Sequence, residues 1–319
     1  MTQPSSASPL GSSAGPRRLQ VSINGQLVPR EEARVSVWDS GFQSGDAVYE
    51  GLRVYGGAVF RLDEHVDRLF RCARSIGIDI PLPKSEVADS IRGTVRANGL
   101  TDNAHVRITV TRGAKPVTGM NPDLATAGEP TIVVIAEPKP PSFPKSGISL
   151  VTASIRRSPA ACLDPKLHTC NQLGQILAKM EANVARADEA LMLDVNGFVA
   201  ETNSANIFAI MGSELATPTR DACMPGLTRA MVLEMAPSVG LSVSERNISQ
   251  ADLYGADEVF ISGTVCEIVP VILIDGRRIG SGKPGPVTTR LLDEYLVVAH
   301  GAGVPADDAA PQAPAPIPE

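Results

Sequence analysis

The sequence predicts an α+β fold of two units that are joined by a proline-rich connection. Predicted strands outnumber predicted helices, and the helices do not alternate with them as they do in a doubly wound parallel sheet. Four prolines fall within residues 138–144, and proline disfavours both helix interiors and the hydrogen-bond ladder of a sheet. A chain of 319 residues is long enough for two units that each bury a core.

These features divide the chain into five predicted segments. Both ends are rich in Ser, Pro, Gly and Ala, which bury too little apolar surface to offset the entropy lost on ordering. The prolines in between predict an extended connection. The predicted segments are a disordered leader 1–17, a small α+β domain 18–137, a linker 138–146, a large α+β domain 147–300 and a disordered Pro/Ala tail 301–319.

Two β-hairpins and two helices are predicted in the first unit. Asn24-Gly25 is typical of a two-residue hairpin turn. Asp63 is expected to cap the first helix, because apolar residues recur behind it at three- and four-residue steps. The second helix carries Val87 and Ile91 on its apolar side. The predicted strands are 20–23, 26–28, 47–55, 58–60, 105–111 and 131–136.

The second unit is predicted to contain more strands, with helices between them. Asn196-Gly197 indicates another hairpin. Asn171 is expected to cap an amphipathic helix, and Lys166 and His168 are expected to lie just before it in extended chain. The apolar face of that helix is formed by Leu173, Ile176, Leu177, Met180 and Val184. The other predicted elements are strands 148–153, 189–193, 198–201, 206–210, 258–262 and 268–274 and a helix over 229–235.

Composition excludes several classes of function. The formal net charge is −6 and Lys and Arg do not cluster, so we expect no nucleic-acid partner. The five cysteines are scattered without a CxxC pair, which predicts free thiols and no metal site. Apolar runs do not approach the roughly 18 residues of a membrane span. With no signal pattern at the N-terminus, a cytoplasmic location without membrane attachment is predicted.

Two glycine-containing turns carry hydroxyls that are suited to an anion. Gly226, Leu227 and Thr228 lead into a predicted helix, whose first turn has free N–H groups and the positive end of the dipole. Gly263 and Thr264 follow a predicted strand and repeat this chemistry. With the cation of Arg61 they predict a phosphate site, although each turn alone is also typical of an ordinary loop.

Glu201 ends a strand in an otherwise apolar stretch. The carboxylate either caps the turn that follows or faces a ring nitrogen that must be held protonated, as in a pyridinium cofactor.

Taken together, these stretches resemble the fold type IV pyridoxal-phosphate enzymes, which include branched-chain aminotransferases, D-amino-acid aminotransferases and aminodeoxychorismate lyases. The resemblance covers nearly all of the chain between the two ends. It is carried by 45–53, 60–69, 193–198, 201–208, 225–229 and 262–271.

The resemblance implies pyridoxal 5'-phosphate as cofactor, amino acids and 2-oxo acids as substrates, and a homodimer. It places Arg61, Leu227, Thr228 and Thr264, with Gly226 and Gly263, around the cofactor phosphate. It also pairs Glu201 with the pyridine nitrogen and puts His105 and Arg107 on the substrate side.

One position departs from the family pattern. In the D-amino-acid and lyase branches, the lysine that carries the cofactor lies three residues before the asparagine that matches Asn171, and here that residue is His168. Lys166 lies two residues earlier, and in extended chain such residues share a face about 6.6 Å apart.

Two interpretations of the catalytic position follow. Either Lys166 acts as nucleophile and base in an aminotransferase, or His168 holds the catalytic place and no bond to the cofactor forms. The alternatives to an aminotransferase are a lyase that uses the same site and a protein that binds pyridoxal phosphate without turnover.

Overall fold

A computed structural model describes residues 18–125, 129–301 and 304–305 of the chain. The predicted leader and most of the predicted tail lie outside these residues. Within them, the chain forms two large sheets with helices packed on them, which agrees with the α+β prediction.

The first sheet is built mainly from the first half of the chain. Its elements are β1 Gln20–Ile23, β2 Gln26–Pro29, α1 Ser40–Ser44, β3 Ala47–Tyr55, β4 Ala58–Val59, α2 Leu62–Ser75, α3 Lys84–Ala97, β5 Ala104–Thr111 and β6 Ile132–Pro138, with β16 Val304–Pro305 at the far edge. The seven strands lie in the order β16-β4-β3-β5-β6-β1-β2, and every neighbouring pair is antiparallel. In the turn between β1 and β2, Asn24 and Gly25 have φ of 49° and 81°, the left-handed values that such a tight hairpin needs.

Helices α2 and α3 cover one face of this sheet. Their apolar residues, at three- and four-residue steps, meet the apolar residues that alternate along β5. Alternation leaves the other face of β5 to His105, Arg107 and Thr109. The first sheet therefore has one face sealed by helices and one polar face.

The second sheet is built from the rest of the chain. Its elements are β7 Ile148–Thr152, α4 Leu173–Ala185, β8 Glu189–Leu193, β9 Val199–Thr202, β10 Asn206–Met211, β11 Glu214–Thr217, α5 Leu227–Met235, β12 Ser242–Glu245, α6 Gln250–Gly255, β13 Glu258–Gly263, β14 Glu267–Ile274, β15 Arg277–Arg278 and α7 Pro286–Gly301. The nine strands lie in the order β12-β11-β10-β13-β14-β7-β8-β9, with β15 beside β14. The pairs β11–β12, β14–β7 and β7–β8 are parallel and the others antiparallel.

The two sheets share a core. Tyr55 and Phe60 of the first half pack with Phe208 and Phe260 of the second sheet and with Tyr295 of α7. Phe208 and Phe260 are stacked with ring centroids 4.8 Å apart. This shared cluster fixes the position of the two halves and leaves a cleft elsewhere between them.

Both predicted helix caps are wrong. Helix α2 begins at Leu62 after Arg61, which adopts a left-handed conformation, and Asp63 lies inside the first turn. Helix α4 begins two residues after Asn171, whose side chain instead donates to the carbonyl of Gly45 at 3.1 Å. The backbone ahead of each helix therefore puts a different residue at the cap position than the capping preference predicts.

The apolar face of α4 is not buried in the chain. Its buried residues are Ala178 and Ala182, whereas Met180 is 56% exposed and Val184 is 87% exposed. Helix α4 thus packs on β7 and β8 through small residues and presents its larger apolar side chains to the outside.

Candidate active site

A cavity of about 700 Å³ lies between the two halves of the chain. Its walls come from β3 and β5 on one side, and from α4, β9, the start of α5 and the loop after β13 on the other. A smaller cavity of about 290 Å³ shares Tyr49, His168 and Glu201 with it. These two cavities together are called the cleft.

The wall from β3 and β5 is positively charged. His105 and Arg107 line it, and Lys139 stands at the end of β6 beside them. The Arg107 guanidinium lies 3.9 Å from the centre of the Tyr49 ring. Burial, together with Lys139, Arg53 and Arg107, lowers the pKa of His105 to about 4. This wall is suited to a carboxylate.

The opposite wall contains the predicted anion pocket. Gly226, Leu227 and Thr228 begin α5, and Gly263 and Thr264 follow β13, all on the lining of the cleft. A Cβ on residue 226 would lie 2.3 Å from Oδ1 of Asn206, so only glycine leaves the space open.

An unsatisfied hydroxyl points to a ligand in this pocket. The Oγ of Ser262 is buried and has no hydrogen-bond partner within the described residues. Buried polar groups are nearly always hydrogen-bonded. Ser262 lines the cleft next to Gly263 and Thr264, so an anion seated on the helix N-terminus would be within the same pocket as this orphaned hydroxyl.

Arg61 lies outside the cleft, contrary to expectation. It lines a separate depression of about 320 Å³ with Glu64, and its Nη1 donates to the carbonyl of Leu227 at 2.9 Å. Arg68 lines the cleft instead and donates to the carbonyl of Pro225 at 3.1 Å. The sequence did hold a signal for this residue, because Arg68 falls on the buried side of α2, next to Leu69.

Glu201 lies on the cleft lining and is 6% exposed. Its Oε1 is 2.6 Å from Nη2 of Arg157, and its Oε2 accepts from Asn206 at 3.2 Å and from the N–H of Met224 at 3.1 Å. Burial raises the pKa of Glu201 in spite of Arg157. A carboxylate offers about four acceptor positions, so one remains for a donor in the cleft.

The expectation that Lys166 and His168 share a face of extended chain is wrong. Residues 164–167 form a turn, closed by the N–H of Leu167 on the carbonyl of Asp164 at 3.0 Å. The Lys166 side chain is exposed and lies 3.6 Å from the Asp164 carboxylate, and it does not line the cleft. Only His168 of the two reaches the cleft.

Backbone pairing positions His168. Its carbonyl accepts from the N–H of Tyr49 at 3.0 Å, and the next residues run antiparallel to the start of β3 through a bridge between Val48 and Thr169. Its ring lies 4.0 Å from the Tyr49 ring. In the part of the chain that the structure describes, the lysines on the cleft lining are Lys139 and Lys179.

The described residues contain neither a metal cluster nor a membrane span. No group of three or more His, Cys, Asp and Glu side chains among them could hold a metal ion. None of the helices described here combines the length and the apolar character needed to cross a membrane.

Comparison with known proteins gave a family match. The model of amino-transferase class IV matches residues 47–274. The branched-chain-amino-acid aminotransferase-like protein 2 of Arabidopsis thaliana is 46% identical over 284 residues, or 89% of this chain and 51% of the relative. A putative branched-chain-amino-acid aminotransferase of Methanocaldococcus jannaschii is 42% identical over 287 residues, or 90% of this chain and 98% of the relative. The chain thus spans about half the length of the Arabidopsis relative.

A solved structure has the same fold. The branched-chain amino acid aminotransferase of T.th., complexed with N-(5'-phosphopyridoxyl)-L-glutamate, superposes with a TM-score of 0.84 at 36% identity and covers 89% of this chain and 95% of that one. The fold class that the resemblance implied is therefore confirmed.

Proposed function

The chain belongs to the class IV aminotransferase family, and we propose that it moves an amino group between an amino acid and a 2-oxo acid with pyridoxal 5'-phosphate as cofactor. The observation that carries this proposal is the arrangement of the cleft. The open Gly226 turn and the orphaned Ser262 hydroxyl form an anion pocket, and Glu201, with an acceptor position to spare, lies on the lining of the same cavity.

These residues fit the non-covalent part of the cofactor. Thr228, Thr264 and Ser262 would hold the phosphate at the start of α5, where free N–H groups and the helix dipole favour an anion. Glu201 would accept from the protonated pyridine nitrogen. When bound, pyridoxal phosphate supplies the electron sink for chemistry at the Cα of an amino acid.

The remaining walls of the cleft would orient the substrate. Arg107 and Lys139 give one wall a positive charge that suits a substrate carboxylate, and Tyr49 lies beneath the Arg107 guanidinium. Burial and the nearby cations lower the pKa of His105 to about 4, so this histidine would be neutral and could donate or accept a hydrogen bond. We expect substrates of the branched-chain or D-amino-acid type.

A direct assay tests the proposal. The purified full chain is incubated with pyridoxal phosphate, a 2-oxo acid and either L-leucine or D-alanine, and the new amino acid and 2-oxo acid are measured. Transfer from one of the two donors is expected and also gives the stereochemistry. Elimination from a chorismate-derived amine without transfer would indicate a lyase of the aminodeoxychorismate type instead.

A second candidate function is binding of pyridoxal phosphate without turnover. The observation in its favour is the turn at 164–167, which places Lys166 outside the cleft and leaves His168 on the lining. Tight binding with no transfer and no elimination would select this candidate.

We also propose that the chain is a homodimer, as the family implies. Met180 and Val184 of α4 present an exposed apolar face, and Ile176 and Met180 of that face line the mouth of the cleft. A partner subunit on α4 would cover the apolar face. The five cysteines are free, which favours a reducing, cytoplasmic location.

The division into two domains at 18–137 and 147–300 likewise stays a proposal. It is supported by the sheet order, since β6 of the first sheet ends at Pro138 and β7 of the second begins at Ile148.

A further inference from the structure

A buried carboxylate joins His168 to α2. Glu50 of β3 is 0% exposed and accepts from Nε and Nη2 of Arg68 at 2.6 and 2.7 Å. It also lies 2.7 Å from Nδ1 of His65 and 3.2 Å from Nδ1 of His168. One carboxylate is thus surrounded by a guanidinium and two imidazoles, and only one of those imidazoles, His168, reaches the cleft.

The charge on Glu50 determines the tautomer of His168. Burial alone would raise the pKa of Glu50, but His168 and Arg68 outweigh burial and hold that pKa well below its usual range. An ionised carboxylate can only accept hydrogen bonds. The Nδ1 of His168 must therefore carry the proton, and the lone pair of the ring is left on Nε2.

The ring of His168 is fixed and its Nε2 atom is free. Stacking on Tyr49 at 4.0 Å and the bond to Glu50 hold the imidazole, whose side chain is 18% exposed. Nε2 has no hydrogen-bond partner in the part of the chain that the structure describes. Burial lowers the pKa of His168, so the ring is neutral near pH 7 and its lone pair is available.

The lysines near the cleft are placed differently. The ammonium group of Lys166 lies outside the cleft, beside Asp164. That of Lys179 donates to the carbonyl of Asp188 and lies 3.7 Å from Glu189. Lys139 stands on the wall that carries His105. Of these groups, only His168 combines a position on both cavities with a buried carboxylate that orients it.

We propose that His168, oriented by Glu50, is the proton-transfer residue of the cleft, and that the chain holds pyridoxal phosphate without a covalent bond to any lysine. This inference rests on the proposed function. In the step, the proton of the substrate Cα–H bond passes to Nε2 of His168 and the electron pair of that bond stays with the substrate carbon framework. The imidazolium then returns the same proton. Glu50 is the positioning residue, because it fixes the tautomer and offsets the positive charge.

The test combines covalent trapping with hydrogen exchange. The full chain is loaded with pyridoxal phosphate, reduced with borohydride and weighed by mass spectrometry, and in parallel the exchange of the amino-acid Cα hydrogen is followed in deuterium oxide. Wild type should take no pyridoxyl group yet catalyse exchange. His168→Gln should bind the cofactor but exchange about 100- to 10,000-fold more slowly, the range for loss of a general base.

Two variants sharpen this test. His168→Lys should gain one reducible pyridoxyl group on the peptide that contains residue 168, because it places an amine where the imidazole was. Glu50→Gln should shift the acidic limb of the exchange profile to lower pH, since Glu50 raises the pKa of His168. A merely structural role would not move this limb. His300→Gln, which changes an exposed histidine on α7, is the matched control.

The outcomes separate this inference from the proposed function. A reducible label on any lysine of an active wild type would overturn the inference and leave aminotransfer standing, as would exchange by His168→Gln at the wild-type rate. A wild type that binds the cofactor but neither exchanges Cα hydrogen nor transfers amino groups would overturn both.

Discussion

At the residue scale, the assignment of the phosphate pocket gives a first prediction. Thr228→Val removes a hydroxyl on the cleft lining, whereas Arg61→Ala removes a cation outside it. A hydrogen bond to a charged group contributes about 1.5–3 kcal/mol. We therefore expect Thr228→Val to weaken pyridoxal phosphate binding roughly 10- to 100-fold and Arg61→Ala to change it much less, as measured by absorbance titration. The reverse order would restore Arg61 to the phosphate site.

Glu201→Gln should separate binding from turnover. The neutral amide cannot hold a pyridine nitrogen protonated, so we expect the cofactor to bind and most amino transfer to be lost. The variant should also melt at a lower temperature, because breaking a buried ion pair such as Glu201–Arg157 costs about 3–5 kcal/mol.

A matched control distinguishes these two effects. Glu258→Gln also alters a carboxylate in the core, one that accepts from the N–H of Thr288 at 2.8 Å at the start of α7, away from the cleft. It should lower the melting temperature without lowering transfer per folded molecule. Wild-type transfer by Glu201→Gln would reduce Glu201 to a turn cap.

The sequence predicts which residues carry chemistry better than where they point. Gly226, Thr228 and Thr264 can be found because glycine and hydroxyl residues at a helix start form a local pattern. The direction of Lys166 cannot, since it depends on a turn that is closed by Asp164. Two-residue spacing predicts a shared face only in extended chain.

At the scale of elements, α4 carries the next prediction. If a second subunit covers its apolar face, a charge placed there should disrupt the dimer. Val184→Glu and Met180→Glu are expected to shift the chain from dimer to monomer in sedimentation analysis, because a charged group in an apolar interface cannot be desolvated without a partner. Val297→Glu, at an exposed apolar position on α7, is the control and should leave the dimer intact. A monomeric wild type would contradict the homodimer proposal.

Periodic elements are predicted well from sequence and short edge elements are not. The hairpin of β1 and β2, and the pairs β3–β4 and β8–β9, follow from Asn-Gly or Gly-Gly turns between apolar runs. Strands β11 and β12 are absent from the predicted elements. Each has four residues, and they pair with each other in parallel across a long separation in sequence, so neither a hairpin turn nor a strong alternation marks them.

At the scale of the whole molecule, the cleft depends on how the two sheets meet. No local pattern predicts that Glu50 of β3, His65 of α2 and His168 of the second half converge, since Glu50 and His168 lie 118 positions apart in sequence. The convergence also removes histidines from water, and this makes the stability of the whole chain sensitive to pH.

His105 provides the clearest case of this sensitivity. Burial, with help from Lys139, Arg53 and Arg107, lowers its pKa from 6.5 to about 4. Between these two pH values the unfolded chain binds a proton that the folded chain does not, so the free energy of unfolding falls as the pH is lowered. At about 1.4 kcal/mol for each pKa unit, the loss amounts to roughly 3 kcal/mol in full.

His105→Gln should remove that part of the pH dependence. Urea unfolding of wild type and variant, measured at intervals from about pH 8 to about pH 4, should give a stability difference that is constant above about pH 7. Below that value, wild type should lose stability relative to the variant, by up to roughly 3 kcal/mol at the acid end. Buried carboxylates such as Glu201 also titrate in this range, with a raised pKa and the opposite sign, but they are common to both proteins and cancel in the difference. Two curves that stay parallel down to about pH 4 would show that His105 is protonated as readily in the folded chain as in the unfolded one.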